Sequence, residues 1–152
     1  MNTEKYIERI EKEGILKIRA EFQIYYAQLE KKCKELYGKG DFLDWISENY
    51  SFYELINTSV IEIIQLEYIR DNNLNFQINP SVKNATNYLR GDEKNNRFNN
   101  KEKAVLVLIK QIRDNFIHNG KSQPEEKQYQ RDNILLINSL AIVKVILIML
   151  KR

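Results

Sequence analysis

The chain has 152 residues, 43% hydrophobic and 30% charged, with a formal net charge of +3, one cysteine and one histidine. That is the size and balance of a single domain, residues 1–152, with a real core and a charged surface. A lone cysteine excludes an internal disulfide, no Cys/His cluster is spaced to hold a metal, and the mild positive charge permits a polyanionic partner without demanding one.

Two prolines and five glycines leave few obligate breaks, which favours long helices over many short strands. Residues 1–9 are charged and carry no apolar signal core, so no secretion signal is expected, and the unpaired Cys33 suits a reducing cytoplasm.

Thr3 to about Tyr37 reads as one long amphipathic helix. Its stripe is Ile7, Ile10, Ile18, Phe22, Tyr25, Leu29, Cys33 and Leu36, at helical spacing. Gly14 is a point where it would bend or split, and Gly38-Lys39-Gly40 ends it. Asp41 opens a short helix from Phe42 to about Glu48 with the lone Trp45. Ser51 and Glu54 have capping-box spacing and predict a third helix with a stripe of Leu55, Ser59, Ile63, Leu66 and Ile69. Asp71 to Asn100 is polar, Asn-rich and the least regular stretch. It holds a short helix over Ser81–Leu89 with Arg90-Gly91-Asp92 as its exit, and otherwise a surface loop. Asn99 or Asn100 caps the next helix, whose inner face is Ala104, Val105, Leu108, Ile109, Ile112 and Phe116; Asn119-Gly120 ends it. Pro124-Glu125-Glu126 opens a last helix to about Leu150.

The second half of that helix, Ile134 to Leu150, is apolar on nearly all sides and approaches the length of a membrane span. Asn138, Ser139 and Lys144 interrupt it and no aromatic belt flanks it. A charge near mid-bilayer costs roughly 3 kcal/mol, so the run reads as core plus a dimer interface, with no membrane partner. Asn138 and Ser139 are positioned to bond across a dimer axis.

The chemistry concentrates in the run Ile112-Arg113-Asp114-Asn115-Phe116-Ile117-His118-Asn119-Gly120-Lys121. An imidazole with an ordinary pKa of about 6.5 moves protons near neutrality. Arg113 stays charged and presents a planar fork suited to phosphate. Asp114, Asn115 and Asn119 add polar groups, and Lys121 a second cation. A cation and an imidazole are a minimal set for phosphodiester cleavage. His118 deprotonates a 2′-hydroxyl or protonates a 5′-oxygen, and Arg113 stabilises charge on the non-bridging oxygens. Five residues of ideal helix leave the two side chains about 140° apart. Either the last turn unwinds, or His118 faces a cleft wider than one helix, as forms where two subunits meet. A reaction that needs both an acid and a base histidine is complete only in a twofold dimer of this chain. The alternative is structural: His118 sits at a helix C-terminus, favoured by the macrodipole, and Arg113 pairs with Asp114 or Glu102.

Arg113 to His118 resembles the Arg-x4-6-His motif of the HEPN superfamily (higher eukaryotes and prokaryotes nucleotide-binding domains). The residue after the arginine, commonly Asn, Asp or His there, is Asp114 here. The likeness is sharp over about ten residues and architectural elsewhere, with the motif before a last long helix. It implies an all-α bundle of about four to six helices that dimerises, pairs two motifs and cleaves single-stranded RNA without metal or other cofactor. The products implied carry 2′,3′-cyclic phosphate and 5′-hydroxyl ends. Arg113 and His118 would be catalytic, with Asp114, Asn115, Asn119 and Lys121 in support. The resemblance also implies a setting in toxin–antitoxin or antiviral defence, with an antitoxin or defence-system protein as partner. A non-catalytic module of the same kind, binding a nucleotide, an antitoxin or a partner protein, is the alternative it carries.

Other features read as scaffold. Tyr25, Tyr26, Tyr50, Phe52 and Tyr53 are suited to base stacking, but their helical spacing assigns them to core and groove lining. Lys31, Lys32 and Lys34 form a solvated face, and Cys33 a small buried hydrophobe.

Overall fold

The buried stripes of the described helices follow a helical period. The computed structural model describes residues 3–38, 42–73, 80–91, 98–118 and 126–152. They form α1 (Thr3–Tyr37), α2 (Phe42–Asn49), a 3-10 turn (Tyr53–Leu55), α3 (Thr58–Asn73), α4 (Pro80–Leu89), α5 (Lys101–His118) and α6 (Glu126–Leu150). There is no strand among the described residues, and the molecule is all-α as its composition predicts.

Two groups of three helices organise the core. α6 packs along α1 and α3, while α5 packs on α4 and α2. Among the described side chains of α1 the buried apolar positions are Phe22, Tyr26, Leu29 and Cys33, one residue every turn of the helix. Tyr26 takes the deep position expected of Tyr25, which is only partly buried, and Leu36 stands 46% exposed. Gly14 does not divide the helix, and a Cβ there would meet nothing within 4 Å. Gly38 ends α1 with φ +77°, the left-handed backbone that favours glycine. The predicted stripe positions Ile7 and Ile10, and the residues Lys39, Gly40 and Asp41, lie outside what is described, at the side chain or entirely.

α5 repeats the pattern. Ala104, Val105, Leu108, Ile109 and Ile112 are each at most 1% exposed, and Leu106 joins them. Asn100 caps it: its side-chain oxygen accepts the Lys103 N–H at 2.9 Å, and its amide donates to the Ser47 carbonyl at 2.9 Å. The second bond, with the ion pair from Lys103 to Asp44, ties the start of α5 to α2. Burying one large aliphatic side chain contributes about 1.5–3 kcal/mol, so the α5 face is the main anchor for whatever its far end carries.

Three expectations need correction. The Ser51/Glu54 spacing does not start α3; it falls on the 3-10 turn. The helix begins at Thr58, with the Asn57 side-chain oxygen accepting both the Ser59 N–H and the Ser59 hydroxyl. Among its described side chains the buried ones are Ile61, Ile64 and Gln65, while Leu55 and Ile63 stand 57% and 38% exposed; the side chains of the predicted stripe residues Leu66 and Ile69 lie outside what is described. The reason is burial on either side of the turn, where Phe52 and Ile56 both sink into the core and pull the chain around before it becomes helical. Ser139 does not face a dimer axis, because it is 0% exposed within its own chain and its hydroxyl has no partner among the described residues. The Asn138 amide donates to the Ile134 carbonyl one turn back at 2.7 Å, and its side chain is half-buried.

Asn133–Leu150 is long and apolar enough to cross a membrane by composition, and half of it is buried within the bundle. Ile137 and Ile148 remain 47% and 57% exposed.

Candidate functional site

Arg113 stands on α5 one residue after the buried Ile112, at the edge of the packed face. Its guanidinium is held from three sides. Nη1 donates to Asp114 Oδ1 at 3.0 Å, and Nη2 reaches Glu30 Oε1 at 3.5 Å. Its central carbon lies 5.4 Å from the centroid of the Tyr26 ring, a cation–π arrangement. Glu30 and Tyr26 are four residues apart on α1, so they share a face and close on Arg113 together. Nε of Arg113 is sealed from solvent and makes no hydrogen bond among the described residues.

The electrostatics follow from this enclosure. Partial burial works against the guanidinium charge, but the Asp114 hydrogen bond and the nearby Glu30 and Tyr26 outweigh it, and its pKa is raised. The Tyr26 phenol is also pushed up, by burial first and by Glu30 next. Cys33, two turns beyond Tyr26 on α1, has its thiol pushed up to about 12, again by burial and then Glu30. Both groups are neutral at physiological pH, and among the described residues the charges in the cluster are Arg113, Asp114 and Glu30.

A guanidinium carries five N–H donors. One serves Asp114, one serves Glu30 and one is the buried Nε–H, so two Nη–H donors are left over for an anion among the described contacts. Side chains of Arg113 and Asp114 are 28% and 31% exposed, so the group is reachable from solvent without being free in it.

α5 stays helical through His118. The last turn does not unwind, and position 118 sits about 140° around the helix from position 113 and about 7.5 Å further along. A reaction using both groups therefore calls for a cleft broader than this helix. The side chains of Asn115 and His118, and all of Asn119 and Lys121, lie outside the described residues.

The structure thus brings Arg113 and Asp114 together and adds Glu30, which the sequence did not single out, and Tyr26, which its spacing assigned to core and groove lining. Glu102, one of the two partners considered for Arg113, is eleven residues back along α5 and lines a different surface with Tyr53 and Thr58. The available signal for Glu30 was its position beside Leu29, a carboxylate bordering a buried stripe. No known family model, curated protein or solved structure matches this chain.

Proposed function

We propose that this protein is a HEPN-type ribonuclease: a homodimer that cleaves single-stranded RNA without a metal, leaving 2′,3′-cyclic phosphate and 5′-hydroxyl ends. It would act in the cytoplasm as a toxin or antiviral effector, alongside an antitoxin or defence-system partner. The observation that carries the reading is Arg113, a partly exposed guanidinium with donors to spare, fixed on the same helix that ends at the lone His118.

In the proposed reaction a 2′-oxygen attacks the adjacent phosphorus and the P–O5′ bond breaks. An imidazole takes the 2′-hydroxyl proton and a second imidazole delivers a proton to the departing 5′-oxygen. One chain has one histidine, so the second comes from a second copy. Arg113 stabilises the negative charge that builds on the non-bridging oxygens. Asp114 and the Tyr26 ring hold the guanidinium plane in place, a preorganisation that avoids reordering at the moment of reaction.

The second reading, a non-catalytic binding or dimerisation module, is favoured by one observation: two of Arg113's donors already serve carboxylates of the same chain. The test is cleavage of a labelled single-stranded RNA by purified protein in EDTA, with Arg113→Ala and His118→Ala beside it. Cleavage by wild type and silence from both variants supports the ribonuclease. A folded, dimeric wild type that leaves several RNAs intact supports the module.

A further inference from the structure

At Arg113 the charges do not balance. Among the described residues its guanidinium faces two carboxylates, Asp114 at 3.0 Å and Glu30 at 3.5 Å, so the cluster carries an excess negative charge. An anion that approaches Arg113 is repelled until one carboxylate withdraws. Asp114 is the sequence neighbour and makes the shorter bond. Glu30 reaches over from another helix, at the long limit of a hydrogen bond, with its side chain 42% exposed. Of the two, Glu30 is held the less. It also sits on the nitrogen an anion needs. Nε of Arg113 is sealed, so a bidentate anion has to bridge Nη1 and Nη2, and Nη2 is the one that Glu30 occupies.

α1 offers Glu30 a second place. Lys34 lies four residues further along a helix that runs unbroken to Tyr37. A glutamate four residues ahead of a lysine is the favourable order for an ion pair on a helix surface. Lys34 is exposed and has no ion pair among the described residues.

Helix geometry sets the direction of travel. Taking Tyr26 as origin, Cys33 and Leu29 lie about 20° and 60° to one side, on the buried face. Glu30 lies about 40° to the other side and Lys34 about 80°. A carboxylate that passes from Arg113 to Lys34 therefore swings away from the core and toward water. Lys34 also suits the last turn of α1, where the macrodipole favours a cation. Its presence alone therefore decides nothing, and its coupling to Glu30 does.

We infer that Glu30 is a two-position latch on Arg113. It pairs with the guanidinium in the unliganded protein and passes to Lys34 when an anion takes its place. The inference concerns regulation of the candidate site, and it rests on the reading of Arg113 as the group that meets substrate phosphate. A tethered carboxylate competes at a roughly millimolar effective concentration, which keeps weakly held small anions off the guanidinium.

The test is titration with inorganic phosphate against chloride at matched ionic strength, followed through the Arg113 Nε–H resonance in proton–nitrogen correlation spectra. That nitrogen is sealed from solvent, which slows exchange of its proton. Wild type, Glu30→Gln, Lys34→Glu and the double variant are compared, with circular dichroism melts to confirm that each folds. Glu30→Gln should bind phosphate about two- to fivefold tighter, the loss of one competing surface pair. Lys34→Glu should weaken binding about two- to fivefold, because the outer position then sets like charges four residues apart. In the Glu30→Gln background the effect of Lys34→Glu should fall by at least about half, the signature of coupled residues. An equal effect in both backgrounds makes Lys34 an ordinary anion contact and overturns the latch. So does Glu30→Gln binding no tighter than wild type, or an Arg113 resonance that phosphate moves in none of the four proteins. RNA decides the other reading separately. Coupling seen with phosphate but no cleavage of any RNA overturns the ribonuclease and leaves the latch standing. Cleavage without coupling overturns the latch alone.

Discussion

Arg113 and Glu30, 83 positions apart in the chain, meet at 3.5 Å, one side chain from α5 and one from α1. Glu30 both steadies the guanidinium and occupies one of its donors. The two side chains are 28% and 42% exposed, so solvent screening limits the pair to at most about 1 kcal/mol. Glu30→Gln should therefore shift stability by less than about 1 kcal/mol in urea unfolding. It should tighten RNA binding severalfold, because the Nη2 donor and its charge become available to phosphate. Looser binding in a variant of unchanged stability would show that Glu30 positions Arg113 more than it restrains it.

Alkaline pH provides an independent readout of the same corner of the bundle. Folded Cys33 holds its proton up to about 12 and Tyr26 is raised as well, burial being the larger cause for both. Their unfolded counterparts release protons near about 8.5 and 10. The stabilising contribution of each group is complete below its unfolded pKa and is lost as pH rises toward the folded one. Stability should be insensitive to these groups up to about pH 8, then fall through Cys33, and fall more steeply above about pH 10 when Tyr26 joins. Each group contributes on the order of 1.4 kcal/mol per pH unit within its window. Urea midpoints at pH 8, 9, 10 and 10.5 measure this, and Cys33→Ala should remove the earlier part of the decline. A flat profile across that range would mean that both groups reach solvent.

Asn100 does two tasks with one side chain, capping α5 through its oxygen and reaching Ser47 on α2 through its amide. Asn100→Ala loses both, at a cost of about 1–2 kcal/mol from the cap and a further contribution from the orphaned carbonyl. Asn100→Asp keeps the acceptor for the Lys103 N–H but sets a carboxylate against the Ser47 carbonyl. Thermal melts should rank wild type above Asp and Asp above Ala. Equal melting points for all three would mean the cap is replaced by water.

The extents of α1, α4, α5 and α6 were legible because each has an uninterrupted period or a clear stop. Phe22, Leu29 and Cys33 recur at helical spacing, Gly91 follows Leu89, and Asn100 precedes an apolar run. The start of α3 was not, since Ser51 and Glu54 carry the spacing of a capping box while the burial of Phe52 and Ile56 decides the backbone. Local sequence states what a segment prefers, and the core overrules it where two flanking residues must both be buried. The candidate site was half legible for the same reason. Arg113 and Asp114 are neighbours in sequence, but Glu30 and Tyr26 reach them only through the packing of α1 on the rest of the bundle.

Exposed apolar residues on α6 bear on the proposed homodimer. Ile137, Ala141 and Ile148 are all exposed and fall four and seven residues apart, which places them along one side of the helix. Lys144 belongs to the same line, but it is tied to Glu21 at 3.3 Å and lies 4.9 Å from the Tyr25 ring centroid on α1, so it stabilises the α1–α6 seam. Leu16 and Ile24 on α1 are also exposed, at 63% and 58%. If a second copy covers this surface, Ile137→Glu/Ile148→Glu sets carboxylates in the interface and should give a monomer in sedimentation at micromolar concentration. Its melting temperature at matched low concentration should stay within a few degrees, because neither residue is buried in the chain itself. RNA cleavage should disappear with the dimer, since each chain brings one imidazole. A wild type that sediments as a monomer at micromolar concentration would remove the homodimer, and with it the two-histidine mechanism.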